Sequence, residues 1–179
     1  SVGVTMHILM CNDDGILADG LRHLASYLSQ YYRITVVAPA NEQSAKSHAL
    51  TTEIPLKLDA YNGEDENPRL YALTGTPSDC MKFGLSYLLT DDMPDLVISG
   101  INHGFNLGSD VLYSGTVSAA MESGFYGIPG LALSVERYSV ERGDEMHPFI
   151  HELIEKIYVA GQFSGLLNVN FPLRGTCDW

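Results

Sequence analysis

The sequence predicts an α/β protein built on a doubly wound, mostly parallel sheet with helices on both faces. Three features lead there. Short apolar runs alternate with segments of helical periodicity, the runs are continuously apolar, and polar clusters rich in Asn, Asp, Ser and Gly follow several of them. A strand that is apolar on both sides needs cover on both sides, and helices between parallel strands supply it. Right-handed crossovers place the loops after the strands on one edge, where such sheets bind ligands near a switch in strand order.

The elements read in order as follows. Met6 to Cys11 (MHILMC) is a buried strand stopped by the turn cluster Asn12, Asp13, Asp14, Gly15. From Asp19 onward Leu21, Leu24, Ala25 and Leu28 recur at spacings of three and four, which predicts a helix. Ile34 to Ala38, rich in β-branched residues and closed by Pro39, is the next strand. The polar stretch Ala40 to Thr52 leads to a weakly alternating Ile54 to Leu58, and the acidic, turn-rich Tyr61 to Arg69 reads as an exposed loop. Leu70 to Leu73 is a short strand. Pro77 then opens a helix carrying Cys80, Met81, Leu85, Leu88 and Leu89, with proline in the first turn where its missing N–H costs nothing.

Asp95 to Ser99 reads as another buried strand, ending at Gly100, and a loop rich in Gly and Asn runs on to Tyr113. Ser114 to Gly124 is a helix of small residues and Leu131 to Val135 a strand. His147 to Ala160 is an amphipathic helix, and Leu166 to Phe171 the last strand.

Composition bounds the function. A chain of 179 residues, 45% hydrophobic, buries one core and reads as one domain over 6–172, with Ser1 to Thr5 dispensable and 173–179 a tail. The longest apolar runs, such as Gly130 to Val135, are too short to span a bilayer, and no export signal is visible. Cys11, Cys80 and Cys177 are scattered, without C-x-x-C or zinc spacing, and read as reduced thiols of a cytoplasmic protein. A net charge of -12 repels polyphosphate backbones, which argues against a nucleic-acid polymer as partner. A small phosphate ester remains open to it, given a cation to offset the repulsion.

Three polar clusters follow strands and should meet on one edge: Asn12 to Gly15, Asn41 to Thr52, and Gly100 to Thr116. Asp13 and Asp14 are adjacent carboxylates that a divalent cation would relieve of mutual repulsion, although Asp-Asp-Gly also suits a turn and helix start. The second cluster offers Ser44, Lys46, Ser47 and His48, by themselves an ordinary solvated loop. His103 lies in the glycine loop, whereas His7, His23, His147 and His151 fall within strands or helices. The third cluster ends at Ser114-Gly115-Thr116, where a helix start with free N–H groups is a ready anion site or an ordinary cap. Its glycines do not form a dinucleotide fingerprint, so a nicotinamide enzyme is disfavoured.

Taken together, these motifs closely resemble the SurE (survival protein E) family of 5'-nucleotidases. The match runs through Met6 to Ile16, Ala38 to Ser44, Gly75 to Cys80, Pro94 to Asn102, Tyr113 to Val117, Ala119 to Glu122, and Leu167 to Pro172. The resemblance implies a Rossmann-like fold and dephosphorylation of nucleoside monophosphates, with one divalent cation per subunit. It places the cation's ligands on Asp13, Asp14, Ser44 and Asn102, and it implies a homodimer or homotetramer. Ala45 stands where the family usually has Gly, and Leu173 to Trp179 does not match the family's extended arm for subunit exchange.

An all-oxygen set of two carboxylates, a hydroxyl and a carboxamide favours Mg²⁺ or Mn²⁺. Such an ion polarises a phosphate ester and activates a water for in-line attack, and either Asp13 or Asp14 accepts the proton. Asn106 and the Ser114-Gly115-Thr116 helix start are expected to hold the phosphate oxygens. His103 and His48 are candidates for protonating the leaving group. Two alternatives remain at this point: a broad phosphatase acting on short polyphosphates, and a nucleotide-binding protein without turnover.

Overall fold

A computed structural model describes residues 5–41, 55–104, 108, 114–161 and 163–172. Seven strands form one sheet: β1 (His7–Cys11), β2 (Arg33–Pro39), β3 (Leu58–Ala60), β4 (Arg69–Leu73), β5 (Leu96–His103), β6 (Gly130–Val135) and β7 (Leu166–Phe171). Their order is β3-β4-β2-β1-β5-β6-β7, and every neighbouring pair is parallel except β3 with β4. The chain winds outward from β1 through β2 to β4, then restarts beside β1 with β5 and winds the other way. The switch point therefore lies between β1 and β5, which pair directly from Ile8↔Leu96 to Cys11↔Ser99.

Side-chain alternation along the central strands builds two cores. Ile8, Met10, Ile34, Val36 and Ile98 face helices α1 (Asp19–Leu28) and α4 (Val140–Ile154). Leu9, Cys11, Val37 and Val97 face α2 (Pro77–Phe83) and α3 (Gly115–Glu122). All five residues of β1 are buried, so the strand that carries the first polar cluster is fully enclosed. Among the described residues no helix is long and apolar enough to cross a membrane.

The helix starts follow from local chemistry. Thr76 accepts the Asp79 N–H while Asp79 accepts the Thr76 N–H, a reciprocal cap ahead of Pro77. The Gly75-to-Cys80 motif is thus a helix start. Ser139 accepts the Arg142 N–H and begins α4 at Val140, seven residues before the expected His147. Pro148 sits inside that helix on its exposed side, so the Asp144 carbonyl it leaves unbonded faces water.

The other correction is at β5, which continues past Gly100 to His103. Its register against β6 shifts between Ser99 and Asn102. Gly100 has φ 140°, and a Cβ there would lie 2.4 Å from the Leu133 carbonyl oxygen. The glycine that looked like a strand end is a bulge that only glycine can make.

The amino edge of the sheet is closed by polar contacts. The His7 backbone N–H donates to Asp95, its ring contacts the Thr35 hydroxyl at 2.9 Å, and Arg33 makes a two-pronged pair with Asp92. Burial, aided by the Arg33 charge, pulls the His7 pKa below 6.5 against the opposing pull of Asp92 and Asp95. Burial does the same to His147, again with nearby charges of both signs.

Two outcomes are expected. Gly100→Ala should cost about 3 kcal/mol in urea unfolding, whereas Gly124→Ala, with open space around it, should stay within about 0.5 kcal/mol. Because both histidines bind protons more readily unfolded than folded, their contribution is present above the ordinary value of 6.5 and is lost as pH falls below it. Unfolding midpoints measured from pH 7 to 5 should fall, and less steeply in His147→Gln.

Candidate active site

The loop after β1 is held from within and from without. Asn12, fully buried, donates from Nδ2 to the Gly15 carbonyl at 3.0 Å and accepts the Gly15 N–H at 3.1 Å. Gly15 takes φ 101°, and the Ile16 N–H donates to the Pro39 carbonyl at 2.8 Å. The two residues between these anchors are Asp13 and Asp14, both half-buried. The bond from Ile16 to Pro39 ties this loop to the end of β2, where the second polar cluster begins.

Asp13 lies against the start of α3. A Cβ at Gly115 would fall 2.9 Å from Asp13 Oδ1 and 3.2 Å from Oδ2. The first residue of α3 therefore has to be glycine for the carboxylate to reach this position. Ser114 caps the helix by accepting the Val117 N–H at 3.3 Å. Thr116 is fully buried, and its Oγ1 has no hydrogen-bond partner among the described residues. A carboxylate at a helix N-terminus sits at the positive end of the helix dipole.

Asn102 comes from β5, the neighbour of β1. Cys11 pairs with Ser99, so Asp13 and Asn102 lie two and three residues beyond one rung of strands about 4.8 Å apart. The Asn102 carboxamide donates from Nδ2 to the carbonyls of His103 and Gly104 at 3.0 and 3.3 Å, which turns its oxygen away from them. Asn102 follows a cis Gly100–Ile101 peptide.

Of the residues singled out from sequence, the structure thus gathers Asp13, Asp14, Asn102, Ser114, Gly115 and Thr116 at the carboxyl edge by the switch point. Ser44, His48 and Asn106 lie outside the described residues. Exposed His103 ends β5 and lines a cleft with Asp14, whereas His7 and His147 are buried structural groups. Asn12 was not anticipated as a bracing residue, although its spacing from Gly15 is that of an Asx turn. Gly115 was expected to approach phosphate, and the structure adds a second role for it, making room for Asp13.

The donors fit a hard divalent cation. Two carboxylates and a carboxamide oxygen are all oxygen ligands, and the space left by Gly115 lets one carboxylate reach in from the loop after the buried strand β1. A buried hydroxyl without a partner at Thr116 is the kind of group that a bound anion satisfies.

Comparison with known proteins points to one family. Residues 8–178 match the family model of Survival protein SurE. The chain is 49% identical over 168 residues to the 5'-nucleotidase SurE of Thermoanaerobacter sp. (strain X514), covering 93% of this chain and 66% of that protein. It is 47% identical over 171 residues to the 5'-nucleotidase SurE of Crocosphaera subtropica, covering 94% and 62%. The crystal structure of the SurE protein from Aquifex aeolicus superposes with a TM-score of 0.78 at 38% identity, over 93% of this chain and 66% of that one. The chain spans just under two thirds of the length of these relatives. Its fold, the motifs at its switch point and its match over nearly every residue place it in the SurE family.

Proposed function

We propose that this chain carries out the chemistry of a 5'-nucleotidase, hydrolysing nucleoside 5'-monophosphates, with 3'-monophosphates as a further substrate, to nucleoside and phosphate. The observation that carries the reading is the Asp13 carboxylate seated against Gly115 at the start of α3, beside Asp14 and the end of β5. The names of its relatives support it.

In this reading Asp13, Asp14, Asn102 and Ser44 hold one divalent cation, Mg²⁺ or Mn²⁺ by the hardness of the donors. When bound, such an ion supplies Lewis-acid polarisation of the phosphate ester and charge neutralisation. The rest is done by the chain. Asp13, pinned at the positive end of α3, anchors and orients. Asp14 lines the cleft by which an ester would enter, and in this reading it or Asp13 accepts the proton of the attacking water. The N–H groups at the start of α3, the Ser114 O–H and the Thr116 O–H donate to the phosphate oxygens, together with Asn106. The N–H groups at the start of α3 are fixed by the helix, so on their side little reorganisation is needed as charge moves onto the equatorial oxygens.

A single domain over 6–172 is part of the same proposal. A cytoplasmic location is supported by the unpaired Cys11 and Cys80. A homodimer or homotetramer is proposed with it, supported by the large exposed side chains of Tyr87 and Phe125.

Two variants test the site. Asp13→Asn should lower phosphate release from AMP by at least about 100-fold and weaken Mn²⁺ binding, with an unchanged melting temperature. Undiminished turnover would refute the assignment. Gly115→Ala should keep the fold yet lose about 100-fold in kcat/KM, because its methyl group displaces the Asp13 carboxylate.

A further inference from the structure

Beside the Asp13–Asp14 corner a cleft of about 560 Å³ opens between the start of α1, the end of β5 and the loop from β6 to α4. Its walls include Asp14, Asp19, Gly20, Ile101, His103 and Tyr138. This is the size of a small-molecule site. Asp14 belongs both to the cleft and to the carboxylate pair, so a phosphate held at the pair would direct its leaving group here.

Tyr138 is the most constrained part of the wall. Its hydroxyl lies 3.0 Å from His23 Nδ1. A Cβ at Gly143 would fall 2.6 Å from that hydroxyl oxygen, and one at Gly20 would meet the ring at 3.6 Å. Glycines in α4 and α1 leave room for the ring, and His23 holds its polar end. The ring is half-buried, with the His103 imidazole at a centroid distance of 6.1 Å. An aromatic face fixed in advance is a stacking surface that loses little entropy on binding.

Charge narrows the occupant. Asp14 and Asp19 line the cleft, and no Lys or Arg does so among the described residues. A second or third phosphate would meet carboxylates. A neutral heterocycle bearing ribose hydroxyls would meet an aromatic wall and carboxylate acceptors.

We propose that Tyr138 is the residue of this cleft against which the base of the substrate stacks. The proposal rests on the phosphomonoesterase reading of Asp13 and Asp14, and its test separates the two. Adenosine, which has no phosphate, is titrated against the full chain in chelator and followed by NMR. It should bind the wild type and Tyr138→Phe alike, and Tyr138→Leu about tenfold more weakly, as loss of one base–aromatic stack implies.

In turnover, Tyr138→Leu should raise KM for AMP about tenfold with kcat little changed, and glycerol phosphate, which has no base, should lose far less. Should Tyr138→Leu fail to fold, the wild-type titration carries the test: adenosine should shift the Tyr138 ring signals. Absence of adenosine binding, unmoved Tyr138 signals, or equal losses for AMP and glycerol phosphate would overturn the Tyr138 assignment. Adenosine binding without phosphate release from any ester would instead overturn the phosphatase reading and leave the cleft standing.

Discussion

The close approach of the Asp13 carboxylate to Gly115 is the constraint on which the geometry of the carboxyl-edge site depends. A charged group is brought against the first turn of a helix, which only works if that turn begins with a residue lacking a side chain. The carboxylate gains the positive end of the helix dipole, and the helix start gains a fixed neighbour. The strand that delivers Asp13 is buried along its whole length and paired on both sides, so little motion reaches the site from below. Asn12 then closes the loop on itself, and Ile16 fastens it to β2. A site mounted on rigid elements in this way is held to narrower tolerances than one carried by loops alone.

The two edges of the sheet differ in how their polar groups are satisfied. At the amino edge His7, Thr35, Arg33, Asp92 and Asp95 largely satisfy one another, and only the Arg69 Nε is left buried without a partner among the described residues. At the carboxyl edge the buried hydroxyls of Ser99 and Thr116 have no partner among the described residues. Three glycines with positive φ, Gly15, Gly100 and Gly104, also lie there. Unsatisfied polar groups and special backbone conformations cost stability and mark places where function has been favoured over it.

Much of this was legible in the residues themselves. Strands β1, β2 and β7 and the start of α1 follow from apolar runs and from the spacing of Leu21, Leu24 and Leu28. Two features escaped a local reading. Gly100 resembles a strand end, but a contact with Leu133 on β6 makes it a bulge within a longer strand. The start of α4 was hidden because Pro148 suggests a boundary, whereas Ser139 caps the helix well before it. In the site, Asp13, Asp14 and Asn102 could be placed on one edge because each follows a recognisable strand. Tyr138 could not: its partner His23 is 115 residues away, and no periodicity connects them. What depends on pairs distant in sequence appears only once the sheet order is known.

The central claim is that the switch point between β1 and β5 gathers oxygen donors around one divalent cation. Anomalous diffraction from crystals soaked in Mn²⁺ tests it most directly. The account predicts a single strong peak between the side chains of Asp13, Asp14 and Asn102, lost in the Asp13→Asn protein. A peak elsewhere, or none at that corner at saturating Mn²⁺, would contradict it.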